Sequence, residues 1–374
     1  MRWPCSRPLL APEHHRTNPG SVVKIGAVLE AEYYQGQEGG NVCCLLCPRH
    51  CLIREGETGF CRVRENLGGI LYSKNYALVS SCAVDPVEKK PLYHFYPGKR
   101  VLSVGTLGCN LACRFCQNWA ISQDHRVSTV EVAPAGLVSQ CLEARRKDPA
   151  CIGLAYTYSE PVVWYEYVME TAPLARQAGL KNVLVTNGFI NPEPWARLLP
   201  WVDALNIDVK GFNDVFYGQM CSGLVEPVKA AVESAVKAGA HVEVTTLLIA
   251  GLNDGEEEID ALAHWLARLD VDIPLHLSRY FPAYMLECPP TPVAAMKRAA
   301  AVARRHLSYV YVGNVWGTEH NSTYCPGCGA LLLRRHSLTL EENRLSDGAC
   351  PRCSRQVAVT GGDHGETAGH SPGR

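Results

Sequence analysis

A chain of 374 residues with 47% apolar and 20% charged residues can bury a substantial core and reads as an ordinary globular protein. Its 36 basic and 37 acidic side chains leave a formal charge of −1, without the basic excess of a dedicated nucleic-acid binder, so a nucleic-acid partner is not expected. No apolar run approaches bilayer-spanning length and no secretory leader pattern opens the chain, so a cytoplasmic protein without a membrane partner is expected.

Residues 1–36, rich in Pro, His, Arg and Gly, are expected to form a poorly ordered N-terminal segment. Residues 37–95 carry many cysteines and glycines with only brief apolar runs, and read as an N-terminal Cys-rich module. From 96 to 320 the pattern changes. Apolar runs begin at 101, 151, 182, 204, 241 and 274, and helix-like segments lie near 131–146, 161–178, 225–238 and 254–268. Runs that are apolar on both faces, alternating with helices, form parallel crossovers. Six such units predict an α/β fold, a partial (β/α)6 TIM-like barrel. Residues 321–358 read as a zinc-ribbon-like module, and the Gly/His/Ser-rich stretch 359–374 as a disordered tail.

Cysteine is the anomaly: 18 residues, of which eleven cluster at metal-ligand spacing. The other seven (Cys5, Cys43, Cys82, Cys141, Cys151, Cys221 and Cys288) read as small buried hydrophobes. The first cluster is Cys44, Cys47, Cys51 and Cys61, with Cys43 able to replace Cys44. Its four thiolates suit structural zinc, with an auxiliary iron–sulfur cluster as the rival, because both use tetrathiolate shells. The last cluster is two CxxC knuckles, Cys325 and Cys328, then Cys350 and Cys353, a zinc-ribbon spacing. Ser354 stands where the first knuckle has Gly329, so the second knuckle is expected to be looser. This module reads as structural, with docking of a protein or RNA substrate as the alternative.

The central cluster is Cys109, Cys113 and Cys116, a CxxxCxxC loop directly after the first barrel strand, where active sites of such folds gather. Cubane clusters usually take four thiolates, so three leave one iron open. S-adenosylmethionine can chelate that iron through its amino and carboxylate groups. One electron from the cluster then yields a 5′-deoxyadenosyl radical, the protein supplying orientation and exclusion of water. The rival reading is structural zinc with a fourth ligand such as His125.

CxxxCxΦC after a first barrel strand resembles the signature of the radical S-adenosylmethionine superfamily. The closer resemblance is to the AmmeMemoRadiSam-system radical enzymes, relatives of pyruvate formate-lyase activating enzyme. It is carried by 44-CLLCPRHC, 56-GETGFCRVR, 108-GCNLACRFCQNW, 156-YTYSEP, 184-LVTNGF, 205-LNIDVKGF, 276-HLSRYFPAY, 311-YVGNVWG and 324-YCPGCG, in order from about residue 41 to 353. The resemblance implies a radical S-adenosylmethionine core with a 4Fe-4S cluster on Cys109, Cys113 and Cys116.

It further implies that Ser159 and Glu160 lie where the superfamily has a Gly-Gly-Glu run that holds the methionine amino group, Tyr158 and Ser159 replacing the glycines. Their bland reading is the start of a helix at Pro161. Thr186, Asn187 and Gly188 form a turn able to hydrogen-bond a ribose or a carboxylate. Asp208 and Lys210 alternate on one strand, so both can face the barrel interior, and the resemblance implies that they reach S-adenosylmethionine; a structural salt bridge is their alternative. Asn118 and His276 are implied to touch the same ligand, and 250-AGLND to flank the adenine. A one-electron donor such as a flavodoxin or ferredoxin is implied, and a protein glycine is one target. Two alternatives stand beside this reading: radical modification of RNA or a small molecule, and a non-catalytic iron–sulfur/zinc scaffold or oxygen sensor.

Overall fold

The computed structural model describes residues 24–25, 28–124, 126–315 and 320–361. One eight-stranded sheet forms the centre: β1 (Ser81–Pro86), β2 (Arg100–Gly105), β3 (Cys151–Tyr156), β4 (Lys181–Thr186), β5 (Ala204–Asp208), β6 (His241–Leu248), β7 (Leu275–Arg279) and β8 (Val310–Gly313). They lie side by side in chain order. Strands β2 to β8 run parallel, and β1 pairs antiparallel with the outer edge of β2. All six predicted strands are present. The sheet extends beyond them by β8 and by β1, which falls inside the stretch read as the N-terminal module.

Six helices make the crossovers: α1 (Pro134–Lys147), α2 (Tyr165–Gln177), α3 (Pro192–Leu198), α4 (Val225–Lys237), α5 (Glu256–Leu269) and α6 (Val293–Ala303). The chain thus contains six β–α units, finished by β8. Their sequences explain their places. In α4, Val225, Val228, Val232 and Ala235 are buried, and in α5 Ile259, Leu262, Ala263 and Leu266, the i, i+3, i+4 pattern of a helix with one face on a sheet. Strands such as β5, with Ala204, Leu205, Asn206 and Ile207 all buried, are covered on both faces. Helices α3 and α6 were not anticipated: α3 is only seven residues and holds two prolines, and α6 follows the last predicted strand.

The N-terminal module contains two small antiparallel sheets. Val28–Glu30 pairs with Ile70–Ser73, and Tyr34–Gly36 pairs with Val42–Cys44. Residues 28–36 are therefore part of the module and not of an irregular lead-in, with Leu29 and Ala31 buried. Their partners are distant in sequence, so local periodicity carries no trace of the pairing. Residues 1–23 of that expected segment lie outside the described residues. The module is joined to α2 by a buried ion pair, Arg64 Nη2 to Glu166 Oε1 at 2.6 Å.

The C-terminal module is a three-stranded antiparallel sheet with its own core of Leu332, Leu333, Leu345 and Val357, packed on Tyr93, Tyr309 and Tyr311. Residues 359–361, assigned to the tail, are anchored: Thr360 pairs with Phe95, accepting from Tyr96 N–H at 2.7 Å and donating to His94 O at 2.8 Å. The rest of that tail, 362–374, lies outside the described residues. Among the described residues no helix is long and apolar enough to cross a membrane.

Candidate functional site

At the C-terminal end of β2 the chain turns at once into the loop bearing Cys109, Cys113 and Cys116. Backbone hydrogen bonds pin this loop to a second one, Ala112 N–H to Cys221 O and Arg114 N–H to Met220 O, both 2.9 Å. Cys113 is buried, and beside it lies Cys221, a cysteine that the sequence presented only as a hydrophobe. A single zinc ion bound at about 2.3 Å draws thiolate sulfurs to within about 4 Å of one another. Among the described residues, ligand atoms mutually within 4.8 Å occur in Cys325, Cys328, Cys350 and Cys353, and the central three form no such compact set. Their spacing is wider than that of thiolates gathered on one shared ion. His125, the fourth ligand of the zinc reading, lies outside the described residues.

Glu160 organises the adjoining strand ends. Its Oε1 accepts from Thr186 Oγ1 at 2.6 Å and from Val162 N–H at 2.9 Å, and its Oε2 accepts from Asn187 N–H at 2.8 Å. The Val162 contact caps the 3-10 turn Pro161–Trp164, so the helix-start reading of Glu160 holds as well. Burial pushes the carboxyl up to about 7, against the lowering effect of these donors. Asn187 continues the network, donating to Asn110 Oδ1 at 2.9 Å and to Cys109 Sγ at 3.6 Å. Asn118 donates to Tyr158 O at 2.7 Å. Ser159 Oγ is buried without a hydrogen-bond partner among the described residues.

Asp208 and Lys210 form an ion pair of 2.6 Å, with side chains 27% and 19% exposed. Burial opposes the charge on Lys210, but the Asp208 carboxylate outweighs it and holds the ammonium above its usual range. Asn253 of the AGLND turn donates to Lys210 O and Leu247 O, both at 2.8 Å, tying that turn to the pair. His276 is engaged elsewhere. Its Nε2 lies 2.6 Å from Glu243 Oε2, and its ring packs between Tyr93 and Tyr311. Glu243 is a fully buried carboxylate that also accepts from the Tyr93 and His94 amides. In this arrangement His276 belongs to the packed interior.

Residues 103–266 match the family model described as the radical SAM superfamily. The chain belongs to the radical S-adenosylmethionine superfamily. Membership brings S-adenosylmethionine-dependent radical chemistry with a 4Fe-4S cluster, and these enzymes need a reductant. The uncharacterized protein MJ0808 of Methanocaldococcus jannaschii is 44% identical over 342 residues, spanning 88% of this chain and 99% of that protein. A domain of pyruvate-formate lyase-activating enzyme from Bacteroides vulgatus aligns at 19% identity, covering 43% of this chain and 99% of that one with a TM-score of 0.39. A radical SAM methyltransferase from Sphaerobacter thermophilus aligns at 20% identity, covering 58% and 67%, with a TM-score of 0.44.

This radical SAM chain departs from the superfamily's glycine pair at Tyr158. That residue adopts φ 70°, the left-handed conformation that glycine enters without cost, and holding a bulky side chain there costs about 1–2 kcal/mol. Its hydroxyl donates to Asp85 Oδ2 at 2.7 Å, and the Lys90 ammonium sits 4.5 Å from its ring centre. Asp85 and Lys90 come from β1 and the segment after it, and no local spacing announces the contact.

Both four-cysteine groups lie outside the matched span. In the C-terminal one, Cys325 Sγ is 3.5 Å from Cys353 Sγ and Cys328 Sγ is 3.6 Å from Cys350 Sγ. The two knuckles close identically: Gly329 N–H donates to Cys325 O and Ser354 N–H to Cys350 O, each at 2.8 Å. The expected looseness of the second knuckle is thus not seen. Ser354 takes φ 60° where Gly329 takes 71°. Ser354→Gly should accordingly stabilise the module by about 1 kcal/mol, read as a higher denaturant midpoint with an unchanged slope. A lower midpoint would show that the serine side chain contributes more than its backbone costs.

Proposed function

We propose that this chain cleaves S-adenosylmethionine reductively and uses the resulting radical to remove hydrogen from a polypeptide substrate, a protein glycine being the target suggested by the activating-enzyme resemblance. The observation that carries the reading is the three-thiol loop at the end of β2, flanked by the unpartnered Ser159 hydroxyl and the accessible Asp208–Lys210 pair. Cys109, Cys113 and Cys116 would hold a 4Fe-4S cluster, which would supply the single electron for reductive cleavage of S-adenosylmethionine. Ser159 with Glu160 would hold the methionine end, and Asp208 with Lys210 its charged or hydroxyl groups. Glu160 keeps Thr186 and Asn187 in register with Cys109, so that the ligand meets a preformed wall.

A polypeptide substrate is supported by an exposed aromatic surface beside the loop. Trp119 stacks on Tyr284, ring centres 5.5 Å apart, with Phe281 and Met285 also exposed. Met285 N–H donates to Arg114 O at 2.9 Å, inside the cysteine loop itself. Apolar side chains clustered at a site's rim suit protein contact better than a nucleic-acid backbone.

The test uses protein reconstituted with iron and sulfide without oxygen, given S-adenosylmethionine and dithionite, with 5′-deoxyadenosine followed by chromatography. Formation by the wild type and its loss in Cys113→Ala is the expected result. Equal formation by both would end the assignment of Cys113 to the cluster.

A further inference from the structure

We propose that Cys44, Cys47, Cys51 and Cys61 hold a second iron–sulfur cluster, seated against the loop that carries Cys109. All four line one small cavity, whose wall is completed by residues including Arg49, Arg64 and Asn110. Cys44, Cys47 and Cys61 are buried and Cys51 is half-buried. Cys43 is excluded: successive strand residues face opposite ways, and its thiol turns to His50 O at 3.7 Å. Cys51 Sγ accepts from Phe60 N–H at 3.5 Å. Arg64, 1% exposed, lines the same cavity, and its Nε is buried without a hydrogen-bond partner among the described residues. Donors of this kind aimed at sulfur stabilise a negatively charged metal–thiolate centre.

Spacing decides between zinc and a cluster. The C-terminal four show what a single-ion site looks like in this chain, with every sulfur within 4.8 Å of the others. The N-terminal four surround one cavity yet form no such set. Sulfurs that face a common space but stand too far apart to share one ion suit a body of several irons, each thiolate bound to its own.

The two centres adjoin. Asn110, in the cavity wall, follows Cys109 directly. Arg49 donates to Asn110 O at 2.5 Å and also to Ser222 O, and its charge interacts with Cys47, Cys51, Cys61 and Cys109. Gly108, at φ 92°, approaches so closely that a Cβ there would stand 2.8 Å from Cys61 O. Resting on the function proposed above, the second cluster is placed to pass single electrons from the external donor to the first.

The full chain, reconstituted anaerobically with iron and sulfide, tests this with metal analysis and electron paramagnetic resonance. A triple variant, Cys109→Ala with Cys113→Ala and Cys116→Ala, should keep half of the wild-type iron and sulfide, and its dithionite-reduced signal should not respond to S-adenosylmethionine. Adding Cys51→Ser should remove that remaining iron. A triple variant that folds by circular dichroism yet holds no iron would overturn the proposal. If Cys51→Ser prevents folding, the triple variant's own iron and sulfide still decide. Half the iron retained there, with no 5′-deoxyadenosine from the wild type, would fail the function alone. 5′-Deoxyadenosine from the wild type, with no iron in the folded triple variant, would fail this site alone.

Discussion

Replacing Glu160 by Ala should lower 5′-deoxyadenosine formation by about 10²-fold, because the walls it holds in register shift by an ångström or so. It should also cost about 3 kcal/mol or more of stability, since three buried donors, on Thr186, Asn187 and Val162, lose their acceptor at about 1–3 kcal/mol each. Glu160→Gln keeps the shape and one acceptor oxygen, and should fall between the wild type and Ala. The pair also carries a pH test. Burial raises the folded-state carboxyl to about 7, above its unfolded value, so its contribution to stability is fully present below the unfolded pKa and is lost as pH rises through 7. Denaturant midpoints of the wild type should decline from pH 5.5 to 8 more steeply than those of Glu160→Gln. Parallel profiles would mean that this carboxyl does not titrate in that window.

Arg335→Met should destabilise the chain by about 3–5 kcal/mol, the cost of leaving one member of a buried ion pair alone. Arg335 and Glu88 are both fully buried, with Nε 3.5 Å from Oε1, and Arg335 also donates to Tyr93 O, Asn321 O and Thr323 Oγ1. It is the joint between the C-terminal sheet and the segment after β1. Burial already pushes the Glu88 carboxyl up, and Arg335 is the main force opposing that rise. The second variant, Arg335→Met with Glu88→Gln, should recover a part of the loss, because no uncompensated carboxylate remains. Calorimetry reads both, and a double variant no more stable than the single one would assign the loss to the hydrogen bonds and not to the charge.

The parallel sheet and much of its helical cover were legible because their signal is local. A strand covered on both faces needs an apolar run, and a crossover helix needs one apolar stripe, so Cys151–Tyr156 or Val225–Lys237 declares itself within its own residues. The cysteine spacings were legible for a related reason: a metal centre takes its ligands from a short loop, and CxxxCxxC or CxxC is the trace of that loop. Strands paired with distant partners, such as Val28–Glu30 with Ile70–Ser73, left no comparable trace.

The sequence by itself determined six of the parallel strands, four of the crossover helices, the three cysteine groups and the superfamily, since each is written in contiguous residues. Only the tertiary structure decided what surrounds them. It set Cys221 against Cys113, hung Glu160 between Thr186 and Asn187, drew His276 to Glu243, held Tyr158 by Asp85, and brought Cys61 against Gly108. Each of these contacts joins residues from different elements. Their distances follow from how the sheet and loops pack, and burial then makes each polar group's partner a matter of several kcal/mol.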